Sequence, residues 1–106
     1  MTERYQVTIQ SQLGPREGVL TLLYQGNYIT GLLELVGYVN KVQGVRGADG
    51  MLHLFHPIQT AVSTIPCETV LNLRAGSLRG TSTSRSARMR WEGTLIHQKP
   101  QEESKL

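Results

Sequence analysis

Val19-Leu20-Thr21-Leu22-Leu23-Tyr24-Gln25-Gly26-Asn27-Tyr28-Ile29-Thr30-Gly31 decides how this chain folds. Two apolar and β-branched runs flank a Gly-Asn pair, and that order reads as two strands joined by a tight turn. It returns as Val70-Leu71-Asn72-Leu73-Arg74-Ala75-Gly76-Ser77-Leu78-Arg79-Gly80, the first copy being two residues longer. Upstream of each hairpin lies a weaker pair of counterparts, residues 10–15 and 59–66, both closing on proline. The chain therefore reads as two four-stranded halves, about 1–50 and 51–97.

Outward from the hairpins, eleven glycines and four prolines punctuate the chain too often for three-turn helices. The uninterrupted stretches are poor helix material: Tyr5, Val7 and Ile9 alternate with Gln6, Thr8 and Gln10, and Thr81 to Ser84 is all hydroxyl. The spacing predicts strands over 4–12, 17–25, 28–37, 39–47, 51–57, 67–74, 77–85 and 88–97. Eight short antiparallel strands in hairpin order remove their edges by closing into a barrel. The expectation is an all-β, mainly up-and-down eight-stranded antiparallel barrel over residues 1–97, with a two-sheet sandwich as the alternative. Residues 98–106 lack apolar periodicity and read as a solvated, disordered tail.

At 106 residues the chain holds one domain. Its 39% hydrophobic and 18% charged residues argue against a disordered protein, and no apolar run approaches the ~18 residues of a spanning helix. Met1-Thr2-Glu3-Arg4 leads into an alternating polar stretch rather than an apolar leader, so the expected compartment is the cytoplasm. The single cysteine, Cys67, forms no intrachain disulfide and builds no cysteine zinc site. A net charge of +3 falls short of a dedicated nucleic-acid binder.

The series Leu13-Gly14-Pro15-Arg16-Glu17-Gly18, Gly26-Asn27 followed by Gly31, Asn40 and Gly44, Thr64-Ile65-Pro66 and Leu78-Arg79-Gly80-Thr81 resembles a family of short uncharacterised bacterial proteins. The resemblance spans nearly the whole chain and implies a small antiparallel barrel of calycin-like or streptavidin-like architecture. Its motifs are turns and strands, and they imply no activity. Ala61-Val62-Ser63 and the Ser/Arg-rich run from Ser82 to Arg90 depart from the family pattern.

Few residues carry a chemical signature. His53 and His56 are three apart, which on a strand sends them to opposite faces, so no metal site is expected. Cys67 has no base nearby in sequence, the acids are scattered singly, and no glycine-rich loop precedes a helix. No cofactor is implied, and no residue is assigned as catalytic.

Face assignment is more informative. Leu20, Leu22, Leu71 and Leu73 fall inside, as do Ile29, Gly31, Leu33 and Leu35 with Leu78, Gly80, Ser82 and Ser84. Serines at 82 and 84 thus stand where the first half has leucines, beside a final strand that turns Met89, Trp91, Gly93 and Leu95 inward. Either Trp91 fills the space or a cavity remains; in the second case Trp91, Ser82, Ser84, Thr69 and Tyr5 would line a ligand site. On the outside, Val19, Leu23, Leu32 and Val36 form an apolar patch suited to a homodimer. Arg74, Arg79, Arg85, Arg88 and Arg90 make a basic face open to an anion or an acidic partner, while sparse aromatic residues argue against nucleic acid.

Three readings follow: a non-catalytic barrel binding a small molecule in its lumen, an interaction or structural module with a solid barrel, and a barrel enzyme using a lumen acid or histidine.

Overall fold

The computed structural model describes residues 1–99. Eight strands follow one another: β1 (Thr2–Ser11), β2 (Gly14–Gln25), β3 (Tyr28–Leu35), β4 (Tyr38–Arg46), β5 (Leu52–Gln59), β6 (Thr64–Arg74), β7 (Ser77–Thr83) and β8 (Arg88–Lys99). Each pairs antiparallel with the next, and β1 pairs with β8 to close the barrel. The up-and-down barrel is the expected fold, and the sandwich alternative is set aside. Both quoted stretches form hairpins, turning at Gly26-Asn27 and at Ala75-Gly76.

Alternation supplies the core. Val7, Ile9, Leu20, Leu22, Ile29, Leu33, Leu52, Leu54, Leu71, Leu78 and Trp91 are all at most 2% exposed. Burying an aliphatic side chain of this size contributes roughly 1.5–3 kcal/mol, so this interior drives closure. Gly31 and Gly80 occupy equivalent places, opposite Leu22 and Leu71. A Cβ at either would collide with a neighbouring backbone carbonyl, that of Thr21 or of Val70. These two glycines let adjacent strands approach where the sheet bends round the barrel.

Several boundaries differ from the sequence reading. β5 runs on through Pro57 to Gln59 and β6 begins at Thr64, with Pro57 and Pro66 facing each other across the ladder. The ladder between β4 and β5 covers only Gln43 to Arg46 against Leu52 to Phe55. Beyond it Asn40, on β4, links its two neighbours β3 and β5: its Nδ2 donates to the Leu33 carbonyl at 3.1 Å and its Oδ1 accepts from the Gln59 amide at 2.9 Å. The Gln59 amide therefore faces β4, and so does the position of Pro57 two residues earlier, where the missing N–H has no ladder to join. β8 extends to Lys99, so Gln98 and Lys99 belong to the barrel and not to a tail; the rest of the expected tail, 100–106, lies outside the described residues.

Candidate functional site

The inward polar residues fall into two groups. The first is a buried chain across β5, β6, β7 and β8, made of His56, Thr69, Ser82 and Trp91, each at most 5% exposed. His56 Nδ1 lies 3.0 Å from the Pro57 carbonyl, which only accepts, so Nδ1 carries the proton and Nε2 of the neutral ring accepts. Thr69 Oγ1 donates to Nε2 at 2.6 Å, Ser82 Oγ donates to Thr69, and Trp91 Nε1 donates to Ser82 at 2.8 Å. The His56 ring also meets Trp91 edge-on, with centroids 5.7 Å apart. Burial pushes the His56 pKa below the usual histidine value, the Pro57 carbonyl opposing only in part. Among the described residues no buried side-chain polar atom lacks a partner. Of the two outcomes open to the sequence, Trp91 filling the space left by small residues is the one observed.

Ser82, Thr69, Trp91 and Tyr5 point inward as expected. Ser84 does not: β7 ends at Thr83, and Ser84 sits in the following turn with its amide and hydroxyl both on the Ala87 carbonyl, at 2.9 and 3.3 Å. Backbone-directed serine is common in such turns, and here it overrides the strand alternation.

The second group lies at the end of the barrel where β1 begins and β8 ends. A cavity of about 520 Å³ opens there, lined by Leu52, Leu73 and Leu95 together with Glu3, Tyr24 and Arg46. Glu3 is its organising residue. Its Oε1 accepts from the Tyr24 hydroxyl at 2.8 Å and the Tyr5 hydroxyl at 3.1 Å, and its Oε2 accepts from Gln98 Nε2 at 2.9 Å. Burial and the Glu3 carboxylate push both tyrosine pKa values well up, so both phenols stay protonated as donors. The Arg46 guanidinium stacks over the Tyr24 ring, 4.9 Å from its centroid. Arg74, Gly76 and Gln98 complete the rim.

Of the expected lumen residues only Tyr5 lines this cavity. Glu3, Tyr24, Arg46 and Gln98 went unread. Glu3, Tyr24 and Arg46 continue the inward alternation of their strands, a usable signal. Gln98 depends on a register shift at Arg4/Tyr5: Tyr5 pairs with Leu95 but Arg4 with His97, so Ile96 is an extra residue and Gln98 turns to Glu3.

Outside the barrel, Val19, Leu23 and Leu32 lie on the outer face of β2 and β3. Val36 is not on β3 but in the turn after it, at φ 50°, a backbone conformation costly for a β-branched residue. It follows the Val19–Glu34 pair by two residues, about 7 Å along the strand, and so stands at the far end of the patch, about 20 Å from the Leu23 level. Leu23 and Leu32 share a shallow outer depression with Phe55 and Pro57. The arginines do not make one face. Arg79, Arg88 and Arg90 lie on β7 and β8, with Arg79 opposite Glu92; Arg85 is in the turn between them, and Arg74 is at the mouth. Of the histidines, His53 is half exposed with Nε2 3.6 Å from Asp49, and His56 is inside, on the other face as expected. Cys67 is buried and unpaired, its thiol pKa raised by burial. No helix among the described residues is long and apolar enough to cross a membrane.

No protein-family model matches the chain, and no curated protein does. Among solved structures the chain is similar to a redesigned β-barrel, mFAP0, solved bound to DFHBI. The two align with a TM-score of 0.64 over 89% of this chain and 95% of that one, at 15% identity. The likeness shows a shared barrel fold.

Proposed function

We propose that this barrel is a non-catalytic binding protein that takes a small molecule at its mouth. One observation carries the reading: a concave site of about 520 Å³ in which a preformed polar cluster meets the side chains of Leu73 and Leu95. Sites of this kind orient a ligand with a few fixed polar groups and gain affinity from apolar burial. The tyrosines are locked by Glu3 before any ligand arrives, which lowers the ordering cost of binding. The structurally similar barrel was solved with a small molecule bound, which accords with the reading. A cytoplasmic setting belongs to the same proposal and rests on the single, unpaired Cys67.

The test is a titration of the isotope-labelled chain with indole, a neutral apolar probe, followed by amide NMR. Saturable shifts concentrated at Tyr5, Leu52, Leu73 and Leu95 are expected, and Leu95→Trp, which fills the mouth, abolishes them. Shifts scattered over the outer face, or unchanged in that variant, overturn the mouth as the site.

A second reading, an interaction module that pairs with its own copy, is favoured by the outer depression, where Leu32 is 39% and Phe55 49% exposed. Large apolar side chains held at that exposure in one concave area suit a partner surface.

A further inference from the structure

We infer that the mouth selects an anion with an apolar body, the chemistry of a small aromatic or aliphatic carboxylate. The inference rests on the mouth being the binding site and adds the class of ligand. Arg46 and Arg74 are both among the residues that line the cavity, Arg46 with its guanidinium over the Tyr24 ring and Arg74 as an exposed residue of the rim. Among the described residues the one ion pair is that between His53 and Asp49, so neither arginine has a carboxylate within salt-bridge distance. The one acid among the described lining residues, Glu3, already accepts three hydrogen bonds from Tyr5, Tyr24 and Gln98. A carboxylate has room for about four such bonds, so Glu3 is nearly saturated and has little left to offer a ligand cation.

The charged donors at the mouth thus lack a carboxylate partner, and the carboxylate there is occupied. Counting formal charges over the described lining residues, two arginines against one glutamate give +1. Arg46 is also oriented: stacking on Tyr24 at 4.9 Å holds its planar fork in place, and such forks match a carboxylate's two oxygens. Leu73 and Leu95 in the same lining would receive the ligand's apolar part. A neutral ligand would meet the guanidinium donors without the charge that strengthens such bonds, and a cationic one would meet net repulsion.

Matched ligand pairs test this: indole-3-acetate against indole-3-acetamide, and octanoate against octanamide, each pair alike in body and different in charge. The full chain is titrated by amide NMR and calorimetry. Each anion is expected to bind at least about tenfold more tightly than its amide, about 1.4 kcal/mol. Arg46→Gln with Arg74→Gln should erase that preference while leaving amide binding in place, and Arg74→Gln alone should weaken it. Added salt should narrow the gap, since rim charges are screened. If the amides bind as tightly as the anions, the anion class is overturned and the mouth site stands. If no member of either pair shifts a mouth resonance at millimolar concentration, both readings fall.

Discussion

Trp91 donates its indole N–H to Ser82 Oγ at 2.8 Å, from β8 to the adjacent β7, with both side chains fully buried. The other end of the chain sets its direction: Nε2 of the neutral His56 can only accept, so Thr69 donates to it, and Ser82, which accepts from Trp91, donates in turn to Thr69. Small hydroxyls in a barrel core are therefore explained by the ring they serve. The same bond holds the Trp91 ring across the middle of the barrel, away from the open mouth.

Ser82→Ala removes the acceptor for Trp91 and the donor to Thr69 at once. A buried N–H left without a partner costs about 1–3 kcal/mol. Urea unfolding followed by Trp91 fluorescence should show a loss of that size with an unchanged m-value. A loss near zero would mean that the indole finds a partner other than Ser82.

His56 should be neutral with its proton on Nδ1, a tautomer that long-range nitrogen NMR reads directly. Protonating Nε2 would turn that atom into a donor, force Thr69 to donate to Ser82, and leave the Ser82 proton without an acceptor. Burial lowers the folded-state pKa, so between that value and the ordinary one of about 6.5 the unfolded chain binds more protons. Stability is then fully present above about 6.5 and falls as the pH drops through the folded-state value. Thermal melts at pH 7 and pH 5 should differ for the native chain and differ less for His56→Leu. An equal difference in both would move the effect to other groups.

Gly31→Ala and Gly80→Ala each drive a methyl into a backbone carbonyl, Thr21 in one case and Val70 in the other. Relief requires the strands to part, and overpacking of this kind costs about 1–3 kcal/mol. Because the two glycines hold equivalent places in the two hairpins, their losses should be similar in chemical denaturation. A tolerated alanine at either position would show that the bend there is not set by close strand approach.

The strands were legible because a period of two survives in Leu20-Thr21-Leu22 and in Leu71-Asn72-Leu73 whatever surrounds them. Pro57 and Pro66 hid the ends of β5 and β6, since a proline in a strand normally marks an edge. Here the chain meets that condition inside a closed barrel, by stopping the β4 to β5 ladder at Phe55. The buried Trp91 and Ser82 were readable from alternation, but their bond was not, because it needs the pairing of β7 with β8. The mouth was harder still. Glu3 and Gln98 lie near opposite ends of the sequence, and only barrel closure and the extra residue at Ile96 bring them to 2.9 Å. No local pattern encodes a bulge with that consequence.

The outer face supports one further expectation, a homodimer centred on Leu23 and Leu32. With Val36 placed in its turn, the patch shifts toward Phe55 and Pro57, which share the same outer depression. An isologous contact needs a self-complementary surface, and a shallow apolar depression flanked by the half-exposed ring of Phe55 can both receive and supply side chains. Aromatic anchors in such pockets dominate interface energies, so Phe55 becomes the residue to test beside the two leucines. Sedimentation velocity should show a dimer for the native chain at high micromolar concentration. Leu23→Glu with Leu32→Glu should give a monomer, since each charge would have to be buried unpaired, and Phe55→Ala should weaken the dimer without altering the fold. Both variants change only outward side chains, so circular dichroism should retain the native β signature. A native chain that stays monomeric at that concentration overturns the dimer.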